Sequence, residues 1–142
     1  YLLFSHDMSI KFHPKPGHIL MCDFKGMKKP EMIKVRPVVV LNSRMGLCTV
    51  VPLSRTPPNP VMKHHHCLSD ISLPQQWRGR DSWVKGDMVI TVRHDRLDRI
   101  KIKEANGKRR YITLRLGVDE LRKVRVCVLE GLHLGYLTKH LK

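Results

Sequence analysis

Residues Arg36–Leu53 read RPVVVLNSRMGLCTVVPL. Three successive valines in Arg36–Leu41 put β-branched side chains on both faces of an extended segment, which predicts a strand that hardly meets water. Pro37 has no backbone donor, so it belongs at the start of that strand or on an edge. Asn42–Ser43–Arg44–Met45–Gly46 turns the chain, and Leu47–Leu53 (LCTVVPL) returns beside it as the second arm of a hairpin.

Working outward, His18–Phe24 (HILMCDF) is a short apolar run with a glycine on each side, a strand signal. Gly26–Lys34, with its lysines and Pro30, is a loop. Arg55–Pro60 (RTPPNP) cannot form regular structure, because its prolines remove donors and fix the backbone. The signal weakens between Val61 and Trp83, where a strand within His65–Leu73 and an exposed connection over Pro74–Ser82 are expected. Order resumes with strands at Met88–Val92 and near Ile100–Lys103, and Asn106–Gly107 is a tight turn leading into Arg110–Leu114. From Val118 to Leu132 the period changes. Leu121, Val124, Val128 and Leu132 recur at three- and four-residue intervals, the pattern of an amphipathic helix. Five or six short strands and a closing helix predict a small, strongly curved barrel or half-barrel.

A length of 142 residues fits one domain. Lys and Arg number 27 against 12 Asp and Glu, a formal charge of +15. Residues 1–84 carry 12 basic and 5 acidic side chains, and residues 85–142 carry 15 and 7, so the whole body is charged rather than a tail. A polyanion or a strongly acidic protein is therefore the first class of partner to consider. Cys22, Cys48, Cys67 and Cys127 are too far apart for a zinc knuckle or redox dithiol, and buried thiols in a reducing compartment are expected. No apolar stretch reaches membrane-spanning length. Tyr1–Phe4 is too short for a signal peptide, Met8 would serve as a start, and a cytoplasmic location is expected.

PGHILMCDF, PEMIKVRPVVVLNS and GLCTVVPLS, within Pro16–Ser54, resemble the PemK/MazF family of toxins, on its chromosomal PemK-like branch. The resemblance implies a mainly β fold, a small SH3-like barrel with a C-terminal helix spanning residues 16–142, preceded by an extension at 1–15 and with a longer middle segment at 55–84. It also implies a sequence-selective endoribonuclease on single-stranded RNA, a homodimer, and neutralisation by an acidic antitoxin. By motif position, Glu31 lies five residues before the Arg36–Pro37 pair, Ser54 stands where the family has Thr, and Arg93–His94–Asp95–Arg96 occupies the place of Arg-Cys-Asp-Gln. The usual Gly-rich loop before Arg-Pro is replaced by Lys28–Lys29–Pro30 and Met32–Ile33–Lys34. A related toxin family with this kind of barrel poisons DNA gyrase, so a non-catalytic binding protein is the alternative.

The chemistry needs little equipment, because RNA carries its own nucleophile in the 2′-hydroxyl. An enzyme has only to help remove that proton, stabilise the phosphoryl oxygens and protonate the leaving 5′-oxygen. No metal or cofactor is expected. By resemblance Arg36 has the central catalytic role, with a guanidinium able to grip a phosphate through two bonds. Ser54 can donate to the same phosphate or satisfy a turn. Arg93 and Asp95, two apart, would share a side on a continuing strand and either hold a phosphate or form a plain salt bridge. By family position Glu31 is the base, and the acid is left among Asp95, His94 and water. Lys28, Lys29, Lys34 and Arg96 would attract phosphates, and Trp77 would stack a base, with Trp83 more suited to the core. His64–His65–His66, followed by Cys67, looks superficially metal-binding; in a strand His64 and His66 would face together, but two histidines do not close a tetrahedral site.

Overall fold

The computed structural model of the protein describes residues 10–69 and 79–142. Its elements are β1 (His18–Asp23), β2 (Val35–Arg44), β3 (Leu47–Ser54), β4 (His65–Cys67), β5 (Trp83–Lys85), β6 (Ile90–Arg93), β7 (Leu97–Asp98), β8 (Ile100–Lys103), β9 (Arg109–Ile112), β10 (Leu114–Arg115) and α1 (Val118–Gly131). The β2–β3 hairpin is as expected, but β2 runs on to Arg44, so only Met45 and Gly46 make the turn, both at positive φ. The expected strand at Met88–Val92 starts two residues later, because Gly86–Met88 forms a 3-10 turn.

β1, β2 and β3 are consecutive antiparallel neighbours. The outer edge of β1 is divided between β10, opposite His18 and Ile19, and β7, opposite Met21 and Cys22. The outer edge of β3 is likewise divided, β6 taking Leu47–Val50 and β5 taking Leu53 and Ser54, with β4 beyond β5. The expected SH3-like barrel is not what forms. The sheet runs open from β10 to β4, and among the described residues no ladder joins those ends; β8 and β9 make a separate two-stranded sheet. The physical reason lies in α1. An apolar sheet face must be covered, and here a helix lies on it where a barrel would bring a closing strand.

The two faces of the sheet carry two cores. Ile19, Val39, Val51, Leu53 and Val84 pack with Leu121, Val124 and Val128 of α1. On the other face Leu20, Cys22, Val38, Val40 and Val50 pack with Phe24 and Leu97, with Ile10 from the chain's N-terminal part and Phe12 against them. Alternate residues of each strand thus serve opposite cores. Val38, Val39 and Val40 are all fully buried, as the valine run predicts.

Asp119 and Glu120 occupy the first turn of α1, where the helix dipole favours negative charge. At its other end the helix comes so close to the 3-10 turn that side chains are excluded at two glycines. A Cβ on Gly86 would collide with the Cys127 carbonyl, and one on Gly131 would stand 2.7 Å from the Asp87 main chain. Cys22, Cys48 and Cys127 are buried free thiols. Burial pushes the Cys22 thiol up to about 12 and the Cys48 and Cys127 thiols up to about 11. Among the described residues no helix is long and apolar enough to cross a membrane.

Candidate functional site

Val38 lies opposite Pro52 in the β2–β3 ladder, so continuing that register by two residues on each strand sets Arg36 across from Ser54. Both residues keep the parity of Val38, Val40 and Val50, the face turned away from α1. Ser54 in turn pairs with Trp83, and two residues along β5 Lys85 pairs with His65 of β4. The pleat therefore places Arg36, Ser54, Lys85 and His65 on one face of adjacent strand ends. His66 falls on the opposite face, where its Nε2 meets Glu120 of α1 at 2.8 Å. The expectation that His64 and His66 would face together is corrected. His64 precedes β4 and turns to Asp87, 3.5 Å away.

A groove of about 640 Å³ opens on this shared face. The loop before β2 forms one wall with Lys29, Glu31 and Lys34, and Arg36, Ser54, His65 and Lys85 line the rest. Four cations, Lys29, Lys34, Arg36 and Lys85, stand against two carboxylates, Glu31 and Asp87, so the groove lining carries net positive charge.

Within it Arg36 Nε is buried and has no hydrogen-bond partner among the described residues. An orphaned donor of that kind costs about 1–3 kcal/mol, a cost relieved when an anion supplies the missing acceptor. Ser54 is buried, and its Oγ accepts the Thr56 N–H at 3.2 Å, leaving its own O–H free to donate. It thus serves the turn while retaining the bond it would give to a phosphate. Glu31 is exposed, and its Oε1 accepts the Lys28 N–H at 2.9 Å, which holds the carboxylate at the turn of the loop.

The remaining expected site residues lie elsewhere. Arg93 pairs with Leu47, at the opposite end of β3 from Ser54, roughly 20 Å along the strand. The strand ends at Arg93 and a 3-10 turn follows, so Asp95 is not on a continuing strand; the two side chains nonetheless form a salt bridge of 3.1 Å. His94 sits there too, its Nε2 2.8 Å from Ser43 Oγ, and its pKa is lowered by burial and then by His13. Arg96 donates to the carbonyls of Asp23 and Lys25, fastening the chain after β1. Lys28 is exposed on the loop. Trp83 is partly buried beside Ser54, and Trp77 lies outside the described residues. His65 and Lys85 were missed in the sequence. Their signal is the two-residue spacing that carries Ser54's face across β5 and β4, and strands of three residues are too short for periodicity to reveal it.

Residues 15–114 match the family described as PemK-like, MazF-like toxin of type II toxin–antitoxin systems. The chain is similar to YifN of Escherichia coli K12, at 35% identity over 116 residues covering 66% of this chain and 78% of that one. It is also similar to a Haemophilus influenzae protein, at 30% identity over 145 residues covering 92% and 98%. Among solved structures, MazF of Deinococcus radiodurans superposes with a TM-score of 0.56 at 19% identity, covering 87% of this chain and 99% of that chain. The toxin MazF-mt6 of Mycobacterium tuberculosis gives 0.55 at 16% identity, covering 84% and 98%. At these identities the superpositions speak for the fold alone.

Proposed function

The chain belongs to the PemK/MazF-like family of type II toxin–antitoxin toxins, and from that premise we propose that it is a metal-independent endoribonuclease acting on single-stranded RNA in the groove at the ends of β2 and β3. The observation that carries the reading is Arg36, whose buried Nε has no acceptor among the described residues, across from Ser54, whose O–H is left to donate. A scissile phosphate between them would receive donors from both. As charge grows on the phosphoryl oxygens, the guanidinium and the hydroxyl stabilise it. The 2′-hydroxyl attacks phosphorus, Glu31, on the groove wall, is the base that takes its proton, and water gives a proton to the departing 5′-oxygen as its bond to phosphorus breaks, since His94 and Asp95 lie at the far end of β3. The products are a 2′,3′-cyclic phosphate and a 5′-hydroxyl.

Lys29 and Lys34 attract the strand without selecting bases. Arg93 and Asp95, far along β3, would meet the strand several nucleotides away from the reacting phosphate. The same basic groove suits the carboxylates of an acidic antitoxin, which is the partner proposed for it. A solved MazE-MazF structure from Deinococcus radiodurans shares the fold with a TM-score of 0.54 at 17% identity, covering 87% of this chain and 99% of that one.

Incubation with mixed-sequence RNA and with its all-DNA analogue tests the activity. Cleavage of the RNA alone, with the two stated termini, is the expected result; cut DNA, or RNA ends bearing a 5′-phosphate, contradicts it. The toxin is further proposed to work as a homodimer, because the short edge strands β4 and β10 leave the sheet open. Sedimentation in moderate salt should give twice the 16.5 kDa chain mass, and a monomer throughout the micromolar range would contradict this.

A further inference from the structure

We propose that His65 acts in this groove as a neutral hydrogen-bond donor, presenting its Nε2–H to an oxygen of a bound phosphate, and that it is neither a metal ligand nor a proton shuttle. The placement rests on the ribonuclease reading; the state of the ring does not.

The ring has two nitrogens, and one is already committed. Nδ1 of His65 accepts the backbone N–H of Met62 at 3.0 Å. In the neutral ring a nitrogen that accepts carries no hydrogen, so the proton resides on Nε2. The cross-strand pair with Lys85 holds the residue on the groove face, among its lining residues, and Nε2 is the nitrogen left for that space.

The surroundings favour the uncharged ring. Burial lowers the His65 pKa first, His64 and Lys85 lower it further, and the Asp87 carboxylate works in the opposite direction. Lys29, Lys34 and Arg36 add positive charge from the other sides of the groove, and Glu31 is the remaining carboxylate. Protonation would in addition place a hydrogen on Nδ1 facing the Met62 N–H, so the cationic form loses the bond that orients the ring.

The same bond decides against a metal. His64, His65 and Asp87 offer ligand atoms within 4.8 Å of one another, a spacing that suits a cation. A ligand must give a lone pair, and in this arrangement the His65 lone pair at Nδ1 is given to Met62 while Nε2 bears a proton. What His65 retains is a donor. Beside Arg36 and Ser54 it makes a third, and as an uncharged one it can approach a phosphate without adding to the crowding of cations.

The test is nitrogen NMR of the histidine rings in the full chain from pH 5 to pH 8, followed by two variants. His65 should be neutral at pH 7 with the hydrogen on Nε2; a cationic ring at pH 7, or hydrogen on Nδ1, overturns the proposal. In single-turnover cleavage His65→Ala should lose about tenfold, the effect of one hydrogen bond, whereas His65→Gln, which keeps an N–H near the same place, should stay within threefold of the parent. Equal loss in both variants overturns the donor role. If the parent does not cleave RNA, the ribonuclease reading fails by itself, and the same pattern must then appear in affinity for a short all-deoxy strand. Stoichiometric binding of micromolar Zn²⁺ that both variants abolish would make His65 a ligand and overturn the proposal.

Discussion

His66 Nε2 and Glu120 Oε2 meet at 2.8 Å, joining β4 to the first turn of α1. Oε1 of the same carboxylate accepts the Ser69 N–H at 3.3 Å, so one side chain anchors both ends of the β4 exit. Both partners are mostly shielded from solvent. Removal of Glu120 takes away both bonds, leaving the half-buried His66 ring without an acceptor and the exposed Ser69 N–H to water, whereas removal of His66 leaves Glu120 its bond from Ser69. Glu120→Ala should cost about 2 kcal/mol and His66→Ala about 1 kcal/mol of folding stability in urea titrations. Equal and negligible losses would show that the contact does not hold the middle segment.

Ser54 separates a structural role from a chemical one. Its Oγ accepts from Thr56, and its own hydrogen is left to donate to the proposed substrate. Ser54→Thr keeps a hydroxyl that can accept from Thr56 and donate to the proposed phosphate. Single-turnover rates should fall about tenfold in Ser54→Ala and stay close to the parent in Ser54→Thr. A full-rate Ser54→Ala enzyme would leave the hydroxyl with the turn alone.

Lys29 and Lys34 stand on the groove wall, whereas Lys139 and Lys142 follow α1 at the end of the chain. Charge reversal at the first pair should weaken RNA and an acidic antitoxin peptide together, and reversal at the second pair should do less. RNA affinity should also fall steeply with salt, because bound phosphates release counterions. Titration of RNA into protein saturated with the peptide checks the shared groove: formation of a ternary complex at undiminished RNA affinity contradicts it.

The β2–β3 hairpin was legible because its valines satisfy both faces at once, and α1 because Leu121, Val124 and Val128 repeat at helical spacing. Closure of the sheet was not legible. Whether a strand or a helix covers an apolar face depends on tertiary docking, and here the glycines Gly86 and Gly131 admit the helix. β7 and β10, two residues each, are defined only by their pairing with β1. The motif residues Arg36 and Ser54 proved to be cross-strand neighbours, a relation that follows once the hairpin register is known. Arg93 and Asp95 were assigned to the same place by motif order, but register along β3 sets them at its other end. His65 and His66 could not be told apart without knowing which face α1 covers.

In the proposed reaction Arg36 supplies the charge stabilisation for RNA cleavage with no metal taking part. The single-turnover rate on a defined single-stranded RNA, parent against Arg36→Ala, with and without EDTA, tests this. The parent should be insensitive to EDTA and the Arg36→Ala rate lower by at least about a hundredfold, on the order of 3 kcal/mol, the effect of removing one donor to a developing oxyanion. A parent whose activity vanishes in EDTA and returns with magnesium, or an Arg36→Ala protein within threefold of the parent, would contradict it.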